Sequence, residues 1–313
     1  MSHRQSPKRV LVYGATGVQG RPVVERLLAA GHHVRVLTRD RSKAADLERL
    51  GAEIAVGDYT DAESLRQASR GVQGVFLAVP FLLAVPSAGS AALRAAAESG
   101  VELVVWNTTG PVPPTRTGNP GADARLEVKA AIAETGLPTI TLEPTGYMEN
   151  FLGPWSLPGL VNDGVFAYPL PASAIVQPIS QQDVAAFAVE AFARPNLAGS
   201  TFRLCGPEAL DGEGIAARFA EALGRPIRFR VMSPDEFGAV LDGAFGPGAG
   251  APAVAFYRAA FENPSLLTTS IDHAALLGHL PITPTSLVAW ARSHAGMLTA
   301  TSAAPPRDGT RTP

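Results

Sequence analysis

The sequence predicts an α/β fold: a doubly wound parallel sheet with a second, smaller, mostly helical domain. Three observations predict it. Short β-branched runs alternate with longer Ala- and Leu-rich runs over roughly the first two hundred residues. A glycine-spaced turn, Gly14-x-x-Gly17-x-x-Gly20, falls between the first strand and the first helix. After Glu143 the texture changes to Gly, Pro and aromatic residues with little periodicity. Strand–helix alternation at this spacing demands right-handed crossovers and a parallel sheet covered on both faces.

Val10-Leu11-Val12-Tyr13 reads as a buried strand, followed by a helix with Val23, Val24, Leu27 and Leu28 on one face and Gly31 closing it. Val34-Arg35-Val36-Leu37 is the second strand, and Ser42 is placed to cap a helix containing Leu47 and Leu50. Glu53-Ile54-Ala55-Val56 is the third strand, with Thr60 or Asp61 capping the next helix. Strands over 75–79 and 101–106 flank an Ala-rich helix; a helix over 122–136 and a strand over 139–142 follow. A helix over 181–194 and a strand over 201–205 return to the sheet. The expected domains are therefore 1–143 plus 177–208 for the sheet and 144–176 plus 209–298 for the smaller, substrate-binding part. A small, polar, Pro-containing tail over 299–313 reads as disordered.

Composition narrows the function. The 313 residues suffice for one large or two modest domains, and 46% hydrophobic with 17% charged residues is ordinary for a globular chain. A net charge of −2 gives no electrostatic footprint for nucleic acid or an anionic membrane. The start is polar, without the apolar core of a signal peptide, and the most apolar window, 75–85, is too short to span a bilayer. The single cysteine, Cys205, permits no internal disulfide and reads as a buried strand thiol. The six histidines show no metal-ligand spacing, and no nucleophile elbow supports a Ser/His/Asp hydrolase. The expectation is a cytoplasmic monomer or homodimer acting on a small molecule, with no metal, nucleic-acid or membrane partner.

The glycine turn carries the strongest chemistry. Gly14 permits the tight turn, Gly17 lets backbone amides approach a pyrophosphate, and Gly20 allows helix to pack on strand. The helix N-terminus adds unpaired N–H groups and a positive dipole end, and Thr16, Val18 and Gln19 complete the turn. At the end of the second strand an acidic residue would read the ribose of NAD, whereas an arginine would pair with the 2′-phosphate of NADP. Leu37-Thr38-Arg39-Asp40-Arg41-Ser42-Lys43 contains both; Arg39 comes first, so NADP(H) is expected over NAD(H). Asp58 and Tyr59 follow the third strand, where Asp58 would face the adenine or simply form an Asx turn. Ala78, Val79 and Pro80 after the fourth strand, and Asn107 after the fifth, should lie at the carboxyl edge of the sheet beside the cofactor. Thr109 would contact substrate there or be a plain turn residue. Tyr147, Asn150, Phe151, Trp155 and Tyr168 would line an apolar pocket for a flat substrate, or form the core of the smaller domain.

Gly-Ala-Thr-Gly-Val-Gln-Gly, then Leu-Thr-Arg, then Gly-Asp-x-x-Asp, resembles the NmrA-like branch of the atypical short-chain dehydrogenase/reductases, of which Gln19 is a particular mark. Arg125-Leu126-Glu127-Val128-Lys129, the stretch from Leu142 to Phe151, and Gln181-Gln182-Asp183 leading into Phe202-Arg203-Leu204-Cys205-Gly206 are similar to the same family. The resemblance covers about 8–225. It implies a Rossmann-type NAD(P)-binding domain and an oxidoreductase. It also implies that Lys129 reaches the nicotinamide ribose and assists proton transfer. The sequence departs from the wider superfamily at Tyr-x-x-x-Lys, because Arg125 stands four residues before Lys129. Lys129 is then the nearest sequence-assignable catalytic group, with Tyr147 and Tyr168 as substitute proton donors. The leading expectation is an NADPH-dependent reductase delivering hydride to a small conjugated or aromatic acceptor such as a quinone, enone or imine. The alternatives are an NADP(H) redox sensor without turnover, or a relative recruited to non-redox chemistry.

Overall fold

The structure is a computed structural model that describes residues 8–78 and 87–299. Strands and helices alternate: β1 Arg9–Val12, α1 Gly20–Ala29, β2 His33–Thr38, α2 Ala45–Arg49, β3 Glu53–Val56, α3 Ala62–Ser69, β4 Gly74–Ala78, α4 Ala88–Glu98, β5 Leu103–Asn107, α5 Pro120–Thr135 and β6 Thr139–Pro144. The chain continues through α6 Leu157–Asn162, β7 Val165–Tyr168, α7 Gln181–Phe192, β8 Thr201–Leu204, α8 Gly212–Leu223, β9 Arg228–Val231, α9 Pro234–Phe245, α10 Ala251–Glu262, α11 His273–His279, α12 Leu287–Ser293 and α13 Ala295–Thr299.

The chain divides into two compact units. The first runs to Tyr147 and adds Gln177–Pro207 and Thr269–Thr285; the second comprises Met148–Val176, Glu208–Thr268 and the chain from Ser286. The segment Thr269–Thr285, expected in the smaller domain, thus packs with the sheet. There Gln177 holds it in both directions, accepting from Ile271 N at 2.8 Å and donating to Ile271 O at 3.1 Å. Thr299, expected in the tail, ends α13, and residues 300–313 lie outside the described residues.

In the first unit β3-β2-β1-β4-β5-β6-β8 form one sheet, every neighbouring pair parallel. The order reverses between β1 and β4, the switch point at which this topology opens a crevice at the carboxyl edge. Period-two alternation feeds both faces: Val10 and Val12 enter one core with Val23, Val24 and Phe187, while Leu11 and Tyr13 enter the other with Leu65, Leu93 and Val104. Helix ends follow local chemistry. Asn119 caps α5 through Gly121 N and Ala122 N, with Pro120 at the first helical position, and left-handed Gly136 closes it.

The second unit is built on aromatic packing, with Phe151 edge-on to Phe166 at 5.1 Å and to Phe219 at 6.1 Å. It is not purely helical. β7 and β9 pair in parallel as a small second sheet, which the sequence reading missed because Arg228-Phe229-Arg230-Val231 alternates over four residues only and three of them are exposed.

Candidate functional site

The glycine turn lies where the sheet order reverses. Tyr13 N donates to Phe76 O at 3.0 Å, so β1 leaves the sheet against β4. Gly14 then adopts φ +69°, and a Cβ there would stand 2.9 Å from Ala78 O. A Cβ on Gly20 would fall 2.3 Å from Gly14 O, so helix and turn touch backbone to backbone. Gly17 differs, since its Cβ would meet only Gly14 O, at 3.3 Å, and otherwise point into open space. Thr16, Gly17 and Val18 are exposed, with Val18 at 70%. At the start of α1, Arg21 N donates back to Gly17 O at 3.0 Å and Pro22 carries no N–H. A turn whose outer lip is glycine, at the N-terminus of a helix, fits a dinucleotide pyrophosphate.

At the end of β2 the two candidate cofactor readers part company. Asp40 Oδ1 accepts from Ser42 N at 2.9 Å and from Ser42 Oγ at 2.6 Å, and these bonds hold its carboxyl below the usual range. Asp40, and not Ser42, is therefore the cap of the 3₁₀ turn Arg41–Ala44. Arg41 turns away to Glu48. Arg39 stays 70% exposed, with Nε 3.7 Å from Asp58 Oδ2. Asp58 itself forms the Asx turn, accepting from Thr60 N at 2.8 Å and Thr60 Oγ1 at 2.7 Å. Thr38 is buried and donates to Asp40 O at 2.9 Å. Tyr59 packs on Tyr13, 5.6 Å between ring centroids, and burial pushes its hydroxyl far up. Its ring serves the core under β3. Val79 and Pro80 lie outside the described residues.

The carboxyl end of β5 gathers a polar cluster. Asn107, 1% exposed, donates from Nδ2 to Gln19 Oε1 at 3.2 Å and to Tyr147 Oη at 3.3 Å. The Tyr147 hydroxyl in turn lies 3.4 Å from Gln19 Oε1 and 3.5 Å from Asn107 Oδ1, both long contacts. Tyr147 is placed by a parallel bridge to Ile179. Thr109 is, among the described residues, the non-glycine with positive φ, at +60°. A β-branched residue there stores strain of about 1–3 kcal/mol, a cost that concentrates at functional sites.

Arg125 meets this turn: Nε donates to Thr108 O at 2.8 Å, Nη1 to Pro111 O at 3.2 Å and Nη2 to Thr109 O at 3.5 Å. Burial lowers its basicity, opposed by the charges of Tyr147 and Glu143. Glu143 is pushed up by burial, although Arg203, Lys129 and Arg125 all face it and Val112 N donates to it. Lys129 is exposed on α5, near Glu143 rather than bonded into the Asn107 cluster. Sequence reasoning named Gln19, Asn107 and Tyr147 separately; the fold joins them. It missed Arg125 as a loop anchor, because carbonyl partners carry no sequence signal.

The family profile for the NmrA-like family matches residues 6–246. The chain belongs to the NmrA-like family. Relatives include an NAD(P)H azoreductase of Xenophilus azovorans, 30% identical over 230 residues that cover 72% of this chain and 78% of the relative. Another is the (4-alkanoyl-5-oxo-2,5-dihydrofuran-3-yl)methyl phosphate reductase of Streptomyces griseus, 34% identical over 226 residues, covering 72% and 78%. In fold, the chain is similar to the triphenylmethane reductase of Citrobacter sp. complexed with NADP(H), with TM-score 0.76, 22% identity and coverage of 92% and 99%.

The remaining expected substrate residues fall in the second unit. Phe151 is buried in its aromatic core, and Tyr168 stacks on Phe166 at 5.7 Å, with Tyr257 and Asn150 bonding its hydroxyl. Trp155 donates from Nε1 to Asn150 O at 2.9 Å and packs edge-on to Phe237 at 5.0 Å. Phe151 is buried and Tyr168 half-buried among these aromatic rings. Among the described residues no helix is long and apolar enough to cross a membrane, and no group of side chains is arranged to hold a metal ion.

Proposed function

We propose that this chain is an NADPH-dependent reductase of a small conjugated acceptor, a quinone, enone, imine or azo compound. The observation that carries the reading is the Gln19–Asn107–Tyr147 cluster, which ties a phenol to the last turn of the glycine cradle. The named activities of its relatives support the class: one reduces an azo bond, the other a dihydrofuranone that by its name is an enone.

When bound, a reduced nicotinamide dinucleotide supplies a hydride, two electrons with one hydrogen, to one end of the acceptor double bond. The other end then takes one proton, giving the dihydro product and the oxidised cofactor. The residues of the chain bind, orient and protonate. The Gly14–Gly20 turn and the α1 N-terminus hold the pyrophosphate, and Thr16 and Val18 flank it. Arg39, free of Asp40 and only loosely drawn to Asp58, pairs with the 2′-phosphate. Thr38 fixes the backbone on which Arg39 is presented, Asp58 lies beside the Arg39 side chain, and Ala78 closes the floor of the turn. Asn107 donates to Tyr147, so the phenol keeps its own proton for the acceptor. Lys129 adds positive charge on the α5 side, and Thr109 borders the acceptor.

The test is NADPH consumption against a panel of p-benzoquinone, cyclohexenone, an aryl imine and an azo dye. Turnover of at least one acceptor, faster with NADPH than with NADH, is expected. Tight NADPH binding with no turnover across the panel would replace this reading with a non-catalytic redox sensor.

A further inference from the structure

Arg125 occupies the place of the tyrosine in Tyr-x-x-x-Lys, and the fold gives it another task. Its guanidinium donates to the carbonyls of Thr108, Thr109 and Pro111, three points on one loop. Within that grip Thr109 takes φ +60°, a conformation that a β-branched residue avoids unless its surroundings impose it. The left-handed turn directs Thr109 N onto Asn107 Oδ1 at 3.0 Å. A backbone N–H only donates, so the atom it meets must be the amide oxygen. The amide NH2 of Asn107 is then forced toward Gln19 and Tyr147. The loop is pinned further along as well, where Asp123 accepts from Thr117 N at 2.7 Å and Gly118 N at 3.1 Å.

We propose that Arg125 is a positioning residue: its grip on the loop after β5 holds Thr109 left-handed, and that turn sets the direction of the Asn107 amide against the Tyr147 hydroxyl. The cation that replaced the superfamily tyrosine thereby orients the tyrosine that took over its task. The inference rests on Tyr147 as proton donor, yet its geometric half is testable without turnover.

Two readouts are compared in wild type, Arg125→Met, Arg125→Lys, Thr109→Gly and the double variant Arg125→Met/Thr109→Gly. One is the Asn107 side-chain amide resonance, assigned by its loss in Asn107→Asp, with its exchange rate. The other is kcat on p-benzoquinone or cyclohexenone beside the NADPH Kd. Arg125→Met is expected to release the Asn107 amide to solvent-like exchange and lower kcat about 10–100-fold, with Kd within about 3-fold, as for a misplaced group. Adding Thr109→Gly should restore part of both, at least about 3-fold in kcat, since glycine takes positive φ without the anchor. Arg125→Lys should fall between and stands in if Arg125→Met fails to fold. An Asn107 resonance indifferent to Arg125, or one that moves while kcat holds, overturns the proposal. If wild type turns over neither acceptor but the Asn107 amide follows Arg125 and Thr109, the positioning geometry stands and the reductase reading falls.

Discussion

The Asn107 amide nitrogen donates to Gln19 Oε1 at 3.2 Å, joining residues 88 apart in sequence. One comes from the turn that would hold the cofactor phosphates, the other from the end of β5. The side chain of Gln19 caps nothing on α1. Its part in the fold is this bridge, which explains why a glutamine suits the position before Gly20. Gln19→Ala should leave the melting temperature nearly unchanged and lower kcat by about 10-fold, because Tyr147 loses a partner that orients it. A KM change with constant kcat would count against the bridge.

Arg39 and Asp40 make opposite predictions for cofactor choice. With Asp40 committed to Ser42 and Arg39 exposed, Arg39→Ala should weaken NADPH by about 2 kcal/mol, roughly 30-fold, and NADH hardly at all. Asp40→Ala should loosen the 3₁₀ turn without shifting preference toward NADPH. Titrations of both variants with both cofactors check this, and equal losses in Arg39→Ala would mean that the arginine reads no phosphate.

Two glycines of one motif should behave differently. Gly20→Ala drives a Cβ to 2.3 Å from a backbone oxygen, so α1 must move from the turn, and stability should fall by about 2–4 kcal/mol. The corresponding contact for Gly17 is 3.3 Å beside open space, so Gly17→Val should fold with a small loss and yet lose NADPH binding through occupied space. Denaturant melts paired with binding isotherms separate the two.

The proton donor is separable from the neighbouring cation. Tyr147→Phe should lower kcat by about 10²–10⁴-fold, the range for removing a positioned acid, with NADPH affinity retained. Lys129→Met, on an exposed face, should cost less than about 10-fold. The opposite ranking would return the proton to Lys129.

Cys205 offers a prediction on pH. Its thiol is 1% exposed, and burial pushes it up to about 11 from the ordinary 9.0. The native thiol should resist iodoacetamide at neutral pH and react once the chain is unfolded. The fold favours the protonated thiol, so its contribution is complete below the unfolded value and is lost as pH rises through the folded one. Between about pH 9 and 11 stability should therefore fall more steeply in wild type than in Cys205→Ala.

What was legible in the sequence follows from range. Strands β1 to β6, the Gly14 turn and the Asp61 cap of α3 are written in local period, glycine spacing and capping residues, and each formed near where the pattern put it. The aromatic stretch was ambiguous because burial and ligand contact demand the same residues; Phe151 and Phe166 turned out to pack on Phe219, which lies in another segment. The return of Thr269–Thr285 to the sheet depends on Gln177, 94 residues from Ile271, and no local pattern announces it. At the site, Gln19, Asn107 and Tyr147 were each visible as types, but their joining was not. Arg125 was visible only as a departure from a motif, since its partners are backbone carbonyls.

Direct reduction of a conjugated acceptor can be followed by isotope transfer. NADPH carrying deuterium at both C4 positions is turned over with cyclohexenone in ordinary water, and the product is read by mass spectrometry and NMR. One deuterium is expected on the β-carbon, with a solvent-derived hydrogen on the α-carbon, and a rate that collapses in Tyr147→Phe while the labelled position stays the same. Product without deuterium, or no product from a chain that binds NADPH tightly, would contradict it.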